Sequence, residues 1–252
     1  METSGKSPFP ETADIETSND DYATRFKGAV GAWLLTTQER GVLKLLGKTR
    51  SPDAPEFTIL DVGGGHGQLA HPLVREGYKV TVIGSDASCE HRIEDLTKNN
   101  SCRFEIGNVI ALPYPDKSFD AVVAVRMLTH CGQWETLVKE MCRVARKIVI
   151  TDYPTSQSLN AAAPALFGAK KKYEKNTREW RLFRHKEVRD AFASAGFAET
   201  GRYAQFFLPM VLHRALKCKP ISSFAETICG ILGLTRLWGT PVVARFEEKV
   251  NS

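Results

Sequence analysis

The chain contains no Cys-x-x-Cys pair. Its six cysteines, at 89, 102, 131, 142, 218 and 229, are scattered and share no metal-ligand spacing with histidine. This argues against a metal site or a disulfide scaffold, and for free thiols in a reducing compartment, several of them buried as small apolar residues. No apolar run approaches the roughly 18 residues that a membrane span requires, and the first residues are acidic and polar where a signal peptide needs an apolar core. A cytoplasmic location is the expectation. No internal repeat is visible, so solenoids and propellers are not indicated. A strong charge bias is missing as well: 34 basic residues face 29 acidic ones. The small excess is local, because positions 170 to 186 hold eight basic residues and two acidic ones and the rest of the chain sums to about neutral. Any argument for an anionic partner rests on that segment.

What the chain does have is a strand that runs into a glycine turn. Phe57-Thr58-Ile59-Leu60 is apolar, glycines follow at 63, 64, 65 and 67, and the apolar spacing then becomes helical at Leu69, Leu73 and Val74. Glycine suits such a turn because a Cβ forbids the backbone angles and blocks close approach of a ligand to the main chain. The free N–H groups at the helix start can then receive a polar ligand. The nicotinamide and flavin fingerprint Gly-x-Gly-x-x-Gly is not met: counted from Gly63 and Gly65, the third glycine is replaced by Gln68. The pattern present is Asp-x-Gly-x-Gly-x-Gly, at Asp61, Gly63, Gly65 and Gly67. It resembles the first motif of class I S-adenosylmethionine-dependent methyltransferases, and Asp-Val-Gly-Gly-Gly-His-Gly is similar to the form found in small-molecule O-methyltransferases.

Taken in order, residues 1–19 read as a disordered tail. Near-helical apolar spacing from Tyr22 to Gly47 predicts two helices before the sheet, interrupted by Gly28, Gly31 and Gly41. The resemblance makes Tyr22, Arg25 and Trp33 candidates for a lid over cofactor and substrate; covering a sheet edge is the plainer role. A linker, 51–55, precedes the glycine turn, and the next helix runs to Gly77. A second strand from Lys79 to Ser85 ends at Asp86, about 20 residues beyond the turn, where a carboxylate can accept both ribose hydroxyls; capping the helix that follows, Ala87 to Asn99, is the alternative. After a short third strand, Arg103 to Ile106, the resemblance places the adenine at Asn108 and the backbone N–H of Val109. The family commonly has Asp at the first of these positions, and an amide oxygen accepts the same hydrogen bond without charge assistance.

Phe119 to Arg126 is nearly continuous in apolar residues, the pattern of a central parallel strand. Its carboxyl end should lie across the crevice from the glycine turn, which makes Arg126 a candidate on the cofactor side and His130 the candidate general base for a hydroxyl or acidic carbon. A helix, Trp134 to Ala145, and a fifth strand, Lys147 to Thr151, follow without the Pro-Gly-Gly turn usual in the family, which predicts a tighter connection. A helix over His185 to Ala195 and two antiparallel strands, Tyr203 to Leu208 and Val242 to Glu248, complete the pattern. Between those strands, Pro209 to Gly239 is too long and too apolar for a hairpin loop. It should form an apolar wall over the active-site end or a face that touches a membrane.

The expectation is an α/β, Rossmann-like fold with a seven-stranded, mostly parallel sheet and helices on both faces, forming one domain over 20–252. The implied function is S-adenosyl-L-methionine-dependent transfer of a methyl group to a small apolar acceptor, such as a lipid, quinone-like or polyketide-like metabolite, with peripheral membrane contact as a further partner. Two alternatives remain. In one, the basic segment with Tyr173, Trp180 and Phe183 binds RNA, as in an RNA methyltransferase, although no Asn-Pro-Pro-Tyr signature is present. In the other, the chain keeps the cofactor fold without catalysis. The segment could equally hold anionic lipid head groups or be a solvated helical face.

Overall fold

Strands β1 (Thr58–Val62), β2 (Lys79–Gly84), β4 (Phe119–Ala124) and β5 (Ala145–Tyr153) are β-branched and apolar on both faces, as strands covered by helices on either side must be. The computed structural model describes residues 7–47, 56–64, 67–159 and 181–249. With β3 (Cys102–Ile106), β6 (Phe197–Phe206) and β7 (Thr240–Glu248), they form one seven-stranded sheet in the order β3-β2-β1-β4-β5-β7-β6. β7 is antiparallel to both neighbours and the remaining pairings are parallel. Two-residue periodicity sorts the core. Leu60, Val62, Val122 and Ala124 point to the face covered by α6 (Trp134–Val144) and α7 (His185–Ser194). Ile59, Val123, Ile148 and Ile150 point to the face covered by α3 (Gly28–Leu46) and α4 (Ala70–Arg75).

Several expectations are corrected. The tail is ordered well before Asp20: α1 (Ala13–Ser18) is followed directly by α2 (Asp20–Thr24). Its composition suggests a solvated segment, yet Asp14 is buried and accepts hydrogen bonds from the Ser85 backbone N–H and hydroxyl, both at 2.5 Å. Ser7 donates to the Ser85 carbonyl and Arg92 to the Ser18 carbonyl, each at 2.8 Å, so the segment is strapped to the carboxyl end of β2. The stretch after Asp86 is not one α-helix but a 3-10 turn, Ala87–Ile93, followed by α5 (Glu94–Lys98). α3 runs unbroken through Gly31 and Gly41, because the glycines admit Phe26 backbone and the Tyr203 ring where a Cβ would collide. The tight connection to the fifth strand is realised without a loop: α6 ends at Val144 and β5 begins at Ala145.

Between β6 and β7 the chain makes α8 (Met210–Leu216), α9 (Lys219–Ile231) and α10 (Leu234–Trp238). Glu226 of α9 anchors them. Its carboxylate accepts from the backbone N–H groups of Phe207 (2.9 Å) and Leu208 (2.8 Å) and sits 2.9 Å from Nε2 of His213, which is fully buried. Trp33 of α3 packs edge-on against His213 and Phe206. The insertion thus lies at the carboxyl end of β6, beside α3.

Candidate active site

The strand order changes direction between β1 and β4, and in open α/β sheets ligands bind outside the carboxyl ends of the strands at that point. The cleft found there is lined by Thr17, Asp61, Gly63, Gly64, Gln68, Leu69, Val125 and Arg126. Gly63 has φ of +70°, a conformation that L side chains rarely adopt, and a Cβ on it would collide with the Met127 side chain. A Cβ on Gly64 would come within 2.6 Å of Oδ2 of Asp61. Both glycines are therefore required by packing. Gln68 holds the turn to α3 by donating to the Leu35 carbonyl at 2.9 Å.

The electrostatics of the cleft centre on Arg126. This residue adopts φ of +61°, an uncommon conformation for a non-glycine residue and one that active sites often retain. Its backbone N–H donates at 2.5 Å to Asp152 at the end of β5, and the other Asp152 oxygen accepts from Gln38 of α3, also at 2.5 Å. The guanidinium lies 4.8 Å from the Phe26 ring centroid and 5.7 Å from that of Tyr22, and its buried Nη1 has no hydrogen-bond partner. Burial pushes the Asp61 carboxyl up to about 7, against the opposing pull of Arg126. Burial likewise lifts Asp152 to about 6, against the Arg126 backbone hydrogen bond and charge. Two carboxyls near neutrality flank one cation under an aromatic cover.

The other sequence-derived residues are distributed as follows. Asp61, Gly63 and Arg126 meet in the cleft, and Gly67, with φ of +67°, closes the turn by donating to the Gly64 carbonyl at 2.8 Å. Gly65 and His66 lie outside the described residues. Asp86 accepts from the Ser88 backbone N–H at 2.9 Å and caps the 3-10 turn; hydrogen bonds from Ser88 hold its carboxyl below the usual range. Asn108 spends its amide oxygen on the Ile110 N–H at 3.1 Å, and the Val109 side chain is in the core. His130 ends a 3-10 turn, Leu128–His130, and is not among the residues lining the cleft. That turn is braced by Arg181, whose N–H donates to the Thr129 carbonyl and whose carbonyl accepts from the Thr129 hydroxyl.

Of the proposed lid residues, Tyr22 covers Arg126, Arg25 stacks on Tyr22, and Trp33 of α3 packs against His213 of the insertion. The basic segment lies outside the described residues up to 180. At its described end, Arg181 pairs with Glu187 and lies over the Trp134 and Phe183 rings, while Lys186 pairs with Asp190 at 2.5 Å. Sequence reasoning missed Asp152, Gln38 and Thr17. Asp152 had a faint signal, an acid at the carboxyl end of an otherwise apolar strand, whereas Gln38 and Thr17 had none.

The fold and cleft define a class I, Rossmann-like methyltransferase architecture. Residues 60–149 match the family described as methyltransferase domain. Magnesium protoporphyrin IX methyltransferase from Synechocystis, solved with bound SAH, superposes with a TM-score of 0.64 at 12% identity, covering 93% of this chain and 98% of that one; the likeness is one of fold. Demethylmenaquinone methyltransferase of Deinococcus radiodurans is 33% identical over 44% of this chain and 46% of its own length. The 2-methyl-6-phytyl-1,4-hydroquinone methyltransferase of Synechocystis is 30% identical over 58% of this chain and 45% of its own length. The match spans less than half the length of either curated relative.

Proposed function

We propose that the chain is an S-adenosylmethionine-dependent methyltransferase whose acceptor is a small apolar molecule of the quinone, lipid or polyketide kind. The observation that carries this reading is the cleft between β1 and β4, where a glycine turn, a buried carboxyl and an orphaned guanidinium nitrogen converge. The donor set suits the cofactor. Asp61 can answer an ammonium group, Nη1 of Arg126 a carboxylate, and the backbone of Gly63, Gly65 and Gly67 the methionine end. Asp86, which retains lone pairs beyond its capping bond, would take the ribose, and Asn108 with the Val109 N–H the adenine. The free volume of the cleft is about 20 Å³, against the several hundred Å³ of a cofactor-sized site. Entry of the cofactor would therefore require the cleft to open.

The cofactor would supply a methyl carbon activated for in-line displacement. The protein's work is to hold an acceptor in line with that carbon, exclude water, and accept a proton where the acceptor is a hydroxyl or acidic carbon. His130, just beyond β4, is the residue assigned to the proton. The names of two of the matched relatives, those described above, specify quinone-type compounds, and this supports the apolar acceptor class.

The test is transfer of labelled methyl from S-adenosylmethionine into a cell extract, followed by separation into organic-soluble, small aqueous and nucleic-acid fractions. Label in the organic fraction is expected, whereas label in the nucleic-acid fraction would replace this reading with the RNA one. In His130→Gln, turnover should fall with cofactor affinity intact; retained turnover would remove His130 from the reaction.

A further inference from the structure

The helical insertion is inside out. In α9 the apolar residues Ile221, Phe224, Ile228 and Ile231 recur at intervals of three and four, forming one stripe along a 13-residue helix. Such a stripe normally faces the core. Here it faces solvent: Phe224 is 68% exposed and Ile231 81%, while the residues turned inward are Ser222 and Glu226. Leu232, Leu237 and Trp238 extend the exposed apolar surface onto α10, and Val211, Leu212 and Leu216 onto α8. Isolated exposed leucines are ordinary, but three successive helices that each expose several large apolar side chains are not.

The exposed charge of the insertion itself has one sign. From Phe207 to Gly239 the chain carries Arg214, Lys217, Lys219 and Arg236 against a single acid, Glu226. That acid is turned inward onto Phe207, Leu208 and His213, and so offers little to the outer face. Lys217, Lys219 and Arg236 are exposed. A protein partner of mixed charge would not require this asymmetry, whereas an anionic bilayer surface attracts cations and receives apolar side chains together. Among the described residues no helix is long and apolar enough to cross a membrane, and α9 at about 20 Å falls short of a hydrocarbon core of roughly 30 Å. The geometry suits a helix lying in the interface, with Trp238 at head-group depth.

We propose that the outer face of α8, α9 and α10 docks the protein onto an anionic phospholipid bilayer. The site reading above enters only in naming what the membrane supplies, an apolar acceptor. The insertion is well placed to deliver one. Trp33 of α3 packs on His213 of the insertion, and two residues further on the Leu35 carbonyl holds Gln68 of the glycine turn.

The experiment is flotation of the full chain with phosphatidylcholine vesicles, with and without phosphatidylserine, alongside sedimentation velocity without lipid. The wild type should float with the anionic vesicles and lose binding as salt is raised. Because Phe224 and Ile231 are exposed, F224E/I231E should fold and bind S-adenosylmethionine like the wild type, yet lose on the order of tenfold in vesicle partitioning. K217E/K219E should weaken binding to anionic vesicles only. No flotation of the wild type, or a dimer in solution that F224E/I231E dissociates, would overturn the proposal, the latter by making this face an interface between copies. Failure of the methyl-transfer reading would appear separately, as absent S-adenosylmethionine binding with vesicle binding intact.

Discussion

The two ends of the central sheet treat the same side chain in opposite ways. At the amino end, Asp120 of β4 accepts from the Thr58 backbone N–H (3.0 Å) and hydroxyl (2.9 Å) and pairs with Arg146 at 2.7 Å. Burial alone would raise its carboxyl, but the hydrogen bonds from Thr58 and Arg146 win and hold it below the usual range. At the carboxyl end, Asp61 and Asp152 are more deeply buried and stand at about 7 and about 6. The first arrangement contributes to stability. The second costs stability whenever the carboxylates are ionised, and a costly charge kept in a cleft marks a site of function rather than of packing.

The largest expected effect comes from removing the cation between the two raised carboxyls. Arg126→Met should cost about 3 kcal/mol of unfolding free energy at pH 8, because it leaves buried negative charge without its neighbour. The cost should shrink as pH falls through 7 and then 6, where the carboxyls take up protons; a cost independent of pH, measured by urea unfolding, would break the contrast. Asp61→Asn should act with the opposite sign. A carboxyl whose folded pKa is raised above its unfolded value of 3.8 stabilises the fold fully only below that value, and loses that contribution as pH rises to about 7. The amide should therefore unfold about 1–3 kcal/mol harder than the wild type at pH 8 and no harder at pH 4, while cofactor affinity falls. The smallest effect belongs to the amino end. Asp120→Asn should cost about 1 kcal/mol at pH 7, and that cost should vanish as acid protonates the wild-type carboxylate, so the pH profiles of the two Asn variants should slope in opposite directions.

Of the residues in this contrast, Asp61 and Arg126 were legible in the sequence and Asp120 and Asp152 were not. The glycine turn, the acid two residues before its first glycine, and the alternation of apolar strands with helical spacing are local patterns, and they place Asp61 beside Gly63 at the end of a strand, while the seven-stranded sheet was implied by the resemblance to class I methyltransferases. What stayed hidden depends on distant partners. A helical stripe such as Ile221, Phe224, Ile228 and Ile231 reports that residues share a face and is silent on which way the face looks. Asp14 in a polar stretch reads as tail because its partner, Ser85, is 71 residues away. The capping role of Asp86 was legible as an alternative, since capping and ribose binding ask for the same residue at the same strand end.

The pairing of Phe206 with Thr240 has an architectural consequence. The chain leaves the sheet for the helical insertion and re-enters it on directly paired residues, about 5 Å apart across an antiparallel ladder. Everything between them is a graft on a hairpin whose ends already meet. Lengthening or shortening such a graft alters loop-closure entropy only slowly with length, so β6 and β7 place little constraint on its length. The edge of the fold that meets the surroundings can diverge while the glycine turn and the charges around Arg126 stay as they are.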